Sequence, residues 1–131
     1  MRFVDSSFWI AMRFRRDQHY DEARRLWEGY SGPLLTTNHV VGETWTFLRR
    51  RMGHPAAQSF IARSARSSRL IVRHVDEATE RDAWEWLRRH DERPYSFVDA
   101  TSFAVMRRLR LLEALAFDGD FAAAGFVELR P

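Results

Sequence analysis

A mainly parallel sheet of four to five strands, with helices on both faces to make a three-layer α/β/α domain, is the architecture this sequence predicts. Three observations lead there. Short apolar runs recur along the chain, and each is followed by longer segments whose apolar residues repeat at helical spacing. No linker, low-complexity tract or internal repeat divides the sequence, and 131 residues suit one core. The whole chain, residues 1–131, therefore reads as a single domain.

Taken in order, Phe3 and Val4 before Asp5 form a first short strand, and Ser6 to Arg13 a helix. Ala23, Leu26, Trp27 and Tyr30 fall at i, i+3, i+4 and i+7, which predicts a helix from about Asp17 to Tyr30, stopped by Gly32-Pro33. Leu34 to Thr36 is the second strand. Val40, Val41, Thr44, Trp45 and Leu48 make the next helical stripe, broken at Gly53-His54-Pro55, and Ala57 to Ser67 follows as a helix with Phe60 and Ile61 turned inward. Leu70 to Val72 is β-branched and short. The spacing of Ala83, Trp86, Leu87 and His90 predicts a helix from Asp76 to about His90, and Ser96-Phe97-Val98-Asp99 has the form of a capping box opening another to about Arg108. Ala114 to Phe117 precedes the turn Asp118-Gly119-Asp120, and Phe126 to Leu129 closes the sheet. The predicted order is β-α-α-β-α-α-β-α-α-β-α-β.

Composition excludes much chemistry. There is no cysteine, so disulfides, thiolate metal sites and cysteine nucleophiles are absent, which fits a reducing compartment. All 21 basic residues are arginine, so a phosphate-loop lysine, a Schiff base and a serine-lysine dyad are absent too. No stretch is apolar enough to suggest a membrane anchor or signal segment, which sets the expectation of a cytoplasmic protein. The net charge of +3 is unevenly spread: Thr44 to Val75 holds seven arginines and no acid, while the remainder has 14 arginines against 18 acids. A basic block beside an acidic remainder suits a protein that draws a polyanion to one surface and cations to another. An arginine-rich solvated helix face would look the same.

In a parallel α/β sheet, ligands sit beyond the carboxyl ends of the strands. Asp5 follows the first strand and Asp118 and Asp120 the fourth, so right-handed crossovers bring them to one edge. Asp5 and Asp99 also suit helix capping, by satisfying orphan N–H groups. Glu43 borders an apolar stripe, where a carboxylate is costly unless paired or bound to a cation. Jointly, Asp5, Glu43, Asp99 and Asp118 come from four elements that can converge on one cleft. Such a cluster needs a cation, and oxygen donors alone select a hard ion, Mg²⁺ or Mn²⁺. Phosphodiester hydrolysis follows, with arginines neutralising the phosphates of the substrate strand.

These residues resemble a known family. Val4 to Phe8 (V-D-S-S-F), Thr36 to Thr44 (T-T-N-H-V-V-G-E-T), Ser96 to Ala104 (S-F-V-D-A-T-S-F-A) and Leu115 to Phe121 (L-A-F-D-G-D-F) resemble, in order, the four acidic motifs of PIN domains of the VapC toxin type. The resemblance implies a PIN-like fold and a Mg²⁺- or Mn²⁺-dependent endoribonuclease. Asp5, Glu43, Asp99 and Asp118 would be the catalytic, ligand-side acids, with Asp120 auxiliary and Ser6 and Ser96 holding the acids in place. It also implies the toxin of a type II toxin-antitoxin pair, a homodimer, inhibited by a small antitoxin protein. Arg49, Arg50, Arg51, Arg63 and Arg66 are the candidate RNA contacts. One departure is Ala116, where the family often has Thr or Ser; Ser6 is the candidate to compensate.

The histidines His19, His39, His54, His74 and His90 show no metal-binding spacing and read as surface or capping residues. The tryptophans Trp9, Trp27, Trp45, Trp84 and Trp86 read as core or interface, and Trp84 and Trp86 cannot share a helix face. Two other functions remain open: a nucleic-acid-binding module on the same fold that does not cut, and a nuclease of DNA or flap structures.

Overall fold

The computed structural model describes residues 1–131. Its elements are β1 (Arg2–Val4), α1 (Ser6–Arg13), α2 (Tyr20–Glu28), β2 (Leu34–Thr37), α3 (Asn38–Met52), α4 (His54–Arg66), β3 (Leu70–Arg73), α5 (Glu77–Arg89), α6 (Phe97–Arg108), β4 (Glu113–Leu115), α7 (Asp120–Ala123) and β5 (Val127–Glu128). The order is the predicted one. All five strands are parallel in the order β3-β2-β1-β4-β5, with Phe3 in register with Leu35 on one side and Ala114 on the other.

β1 and β2 are short because each is an apolar run ended by a polar residue that caps the next helix. β1 and β2 are capped in this way by Asp5 and Thr37, whose side chains accept from Ser7 N–H and Val40 N–H. Phe3, Val4, Leu34, Leu35, Ala114 and Leu115 form the sheet's contribution to one hydrophobic core, against Phe8, Val40, Leu48, Phe60, Phe103 and Met106 from the helices. Helix α6 is buried from Asp99 to Met106, so it runs through the interior rather than over it. That placement carries Asp99 inside with it.

Some bounds shift from the sequence reading: α4 begins at His54 rather than Ala57, and β5 spans Val127–Glu128 rather than Phe126 to Leu129. Helix α2 starts at Tyr20, not Asp17, because the Asp17 carboxylate accepts from His19 N–H at 2.8 Å and closes a turn ahead of the helix. Ile61 is 37% exposed: Phe60 takes the inward position against Trp9, and the next residue on a helix is turned about 100° away. The β-branched run of β3 lies on the sheet edge, which leaves Ile71 and Val72 exposed. As expected, Trp84 and Trp86 part company, Trp86 packing inward and Trp84 lying exposed over Phe97.

Candidate active site at the carboxyl edge of the sheet

The sheet reverses its strand order at β1, which leads through helices to β2 on one side and is flanked by β4 on the other. Ligands of open α/β sheets collect at such a switch point, since the connections leave a crevice there. Asp5 stands at the end of β1 and Asp118 just beyond the end of β4, bridged by the Asp5 N–H bond to Leu115 O at 3.1 Å.

Asp5 is buried, and its Oδ2 accepts from the Ser7 N–H at 3.1 Å and the Ser7 hydroxyl at 2.7 Å. Ser7 Oγ in turn accepts from Phe117 N–H at 3.1 Å, tying the β1–α1 junction to the β4–α7 loop. Burial, then the neighbouring Asp118, push Asp5 up to about 8 against the relief given by Ser7. Sequence reasoning passed over Ser7; the only signal was a second serine beside the first acid. Ser6, the candidate to compensate for Ala116, donates instead to Glu43 Oε2 at 2.9 Å. The hydroxyl that reaches the β4–α7 loop is thus Ser7's.

Asp99 and Ser96 form the reciprocal capping box, Asp99 Oδ2 accepting from Ser96 N–H and Ser96 Oγ from Asp99 N–H, each at 2.9 Å. Burial, with Asp118 and Asp120 adding repulsion, raises Asp99 to about 6 despite the capping bonds. Asp118 is also raised, first by burial and then by Asp120 and Glu128. Asp99, Asp118 and Asp120 each present an oxygen within 4.8 Å of the others. Arg93, from the α5–α6 connection, meets Asp120 Oδ1 through Nε at 3.0 Å and Nη2 at 2.9 Å. No motif or spacing in the chain foretells this cation at the cluster.

The cap and ligand readings of the acids are compatible. Asp5, Glu43, Asp99, Asp118 and Asp120 each commit one carboxylate oxygen to the protein, through Ser7, Ser6, Ser96, the Asp120 N–H and Arg93 respectively. The other oxygen of each makes no hydrogen bond within the chain. Fixed carboxylates with one free oxygen apiece suit a hard divalent cation, and the Asp99, Asp118 and Asp120 group includes no nitrogen or sulfur donor.

Glu43 is half-buried and lies at the edge of a hollow of about 600 Å³ that His39, Thr46, Phe47, Arg50, Arg51 and Val98 also line. Gly42 forms part of its wall, and a Cβ there would meet nothing within 4 Å. The predicted arginine set is split. Arg50 and Arg51 stand in the Glu43 hollow, whereas Arg63 lines a separate one with Trp9, Arg13 and Arg24, and Arg49 and Arg66 are exposed and line neither.

The PIN domain family model matches residues 2–127. The chain is 56% identical over 132 residues to the 23S rRNA-specific endonuclease VapC20 of Mycobacterium tuberculosis, covering all of this chain and 99% of that protein. The chain belongs to the VapC family of PIN domains. A VapC ribonuclease of Archaeoglobus fulgidus is 27% identical over 124 residues, 91% of this chain and 78% of that one. The crystal structure of M. tuberculosis VapC20, described as a sarcin-ricin loop cleaving toxin, superposes with a TM-score of 0.95 at 54% identity over the full length of both chains. A toxin-antitoxin complex from Klebsiella pneumoniae shares the fold, with a TM-score of 0.69 at 16% identity over 98% of this chain and all of that one. This VapC-family chain has no helix long and apolar enough to cross a membrane.

Proposed function

We propose that this chain is a divalent-metal-dependent endoribonuclease, the toxin of a type II toxin-antitoxin pair, and that it cuts 23S rRNA in the sarcin-ricin loop. The observation that supports the chemistry is the acid cluster at the carboxyl edge of the sheet: Asp99, Asp118 and Asp120 each present an oxygen within 4.8 Å of the others, buried Asp5 feels the charges of Asp118 and Asp99, and Ser6 ties Glu43 to the residue after Asp5. Support for the substrate comes from the 56% identity to a protein named as a 23S rRNA-specific endonuclease and the superposition on a toxin described as cleaving that loop. In this reading the chain works in the cytoplasm, as a homodimer, under the control of a small antitoxin.

Asp99, Asp118 and Asp120 would hold a Mg²⁺ or Mn²⁺ with Asp5 beside them, and Glu43, held by Ser6, would stand at the margin. When bound, such an ion acidifies water and polarises the scissile phosphate. The protein's own part is preorganisation. Ser7 holds the Asp5 carboxylate, the Ser96 box holds Asp99, Ser6 holds Glu43, and Arg93 holds Asp120, which restricts the motion of the acids before a cation arrives. Arg50 and Arg51, in the same hollow as Glu43, neutralise substrate phosphates.

The test compares an RNA hairpin carrying the sarcin-ricin loop, an unrelated RNA hairpin, and DNA of the same loop sequence, each with the purified chain and Mn²⁺. Selective cutting of the first, leaving a 5′-phosphate and a 3′-hydroxyl, is the expected result. Binding of all three without cutting would move the chain to the non-cleaving module, and equal cutting of the DNA would move it to the DNA nucleases.

A further inference from the structure

Helix α3 buries Val40, Thr44 and Leu48 and turns a different stripe outward. That stripe has the period of the helix: His39, then Gly42 and Glu43, then Thr46, then Arg50 and Arg51, all on the wall of one hollow. Arg50 follows Glu43 by seven positions, about 10 Å along the axis at 1.5 Å per residue. No carboxylate lies within ion-pairing reach of Arg50 or Arg51; Arg51 instead rests over the Phe47 ring, 5.3 Å from its centroid. Two uncompensated guanidiniums are thus lined up with an acid of the cleft.

Gly42 gives the second, independent observation. Glycine is a poor helix former, and here it stands inside a 15-residue helix. Its φ is not in the left-handed region, and a Cβ would touch no protein atom, so neither backbone conformation nor internal packing asks for glycine. What a side chain at 42 would obstruct is the hollow itself.

We propose that the outer face of α3 is a track for a single-stranded segment of the RNA substrate flanking the scissile phosphate. On it Gly42 lets the sugar-phosphate backbone approach the helix beside Glu43, and Arg50 and Arg51 hold a phosphate farther along. The proposal rests on the ribonuclease reading and adds to it the direction in which the strand leaves the acids. An unpaired strand is the form that fits, because RNA loops present splayed nucleotides that a groove on a protein surface can take up singly. The hollow, at about 600 Å³, lies within the usual size of ligand clefts. Gly42 and the two arginines are positioning residues on this account, not catalytic ones.

The experiment uses the full chain and a fluorescein-labelled RNA hairpin carrying the sarcin-ricin loop. Anisotropy in chelator reads binding, and cleavage with Mn²⁺ reads KM and kcat. Gly42→Ala should melt higher than the wild type, because alanine favours the helix, and yet raise KM about threefold; Gly42→Gln should raise KM roughly tenfold or more, with kcat and Mn²⁺ affinity little changed. Arg50→Gln combined with Arg51→Gln should flatten the dependence of log K on log salt by about 0.7 for each phosphate no longer neutralised. Unchanged KM in Gly42→Gln, with the wild type cutting normally, overturns the track alone. So does a Gly42→Gln chain that keeps its RNA affinity but changes oligomeric state, since a second copy would then cover this face. A wild type that neither binds nor cuts RNA overturns the ribonuclease reading as well.

Discussion

Replacing Ser7 with alanine removes one hydroxyl that makes two bonds, to Asp5 Oδ2 at 2.7 Å and from Phe117 N–H at 3.1 Å. Without a cation, Asp5 at about 8 is largely protonated at neutral pH, so the first bond counts as one between neutral groups, about 1 kcal/mol. The second leaves a backbone N–H without its acceptor, at a cost of about 1–3 kcal/mol. The sum is a loss of about 2–4 kcal/mol of metal-free stability, read by urea unfolding as a lower midpoint with an unchanged slope. The same substitution should weaken Mn²⁺ binding. Ser7 lowers the pKa of Asp5, so losing it lets the proton compete better with the cation. The deficit should therefore narrow as the pH is raised above about 8, read by Mn²⁺ titration across pH. A stability change under about 0.5 kcal/mol, within the range of ordinary surface substitutions, together with unaltered Mn²⁺ affinity, would refute the idea that Ser7 joins the two halves of the site.

Two further predictions concern the same acids. Asp5 and Asp99, at about 8 and about 6 against an ordinary 3.8, make the folded metal-free chain bind more protons than the unfolded chain between those values. Metal-free stability should therefore be greatest at the acid end and fall as pH rises from about 4 to about 8, and a divalent cation should offset that fall; denaturant titrations over pH with and without Mg²⁺ check it. Asp99→Asn keeps an oxygen able to accept from Ser96 N–H while removing one repelling charge, so it should abolish RNA cleavage yet raise metal-free stability by on the order of 1 kcal/mol. Loss of both cleavage and stability would instead point to a structural role for that charge.

The order of elements was legible because it is written locally. Most strands are built on a short apolar run, and most helices are announced by a capping residue such as Asp5, Thr37, Asp76 or Ser96. The acids at the strand ends were legible for the same reason, since parallel topology fixes which edge they share. What could not be read depends on distance in the chain. Ser7 and Phe117 are 110 residues apart and Arg93 and Asp120 are 27 apart, and no local pattern specifies either bond. The arginine block illustrates the limit from the other side. A run from Thr44 to Val75 reads as one basic surface, but its two packed helices send Arg50 and Arg51 to the hollow beside Glu43 and Arg63 to another.

On the reading proposed above, the acids at the carboxyl edge of the sheet make one cation site. The most direct measurement is calorimetric titration of Mn²⁺ into the metal-free chain at neutral pH, with Asp99→Asn and Asp118→Asn alongside. Saturable binding to the wild type is expected, accompanied by proton release from the raised acids, with a sharp loss of affinity in both variants. Binding that survives both substitutions, or no binding by the wild type, would contradict the claim.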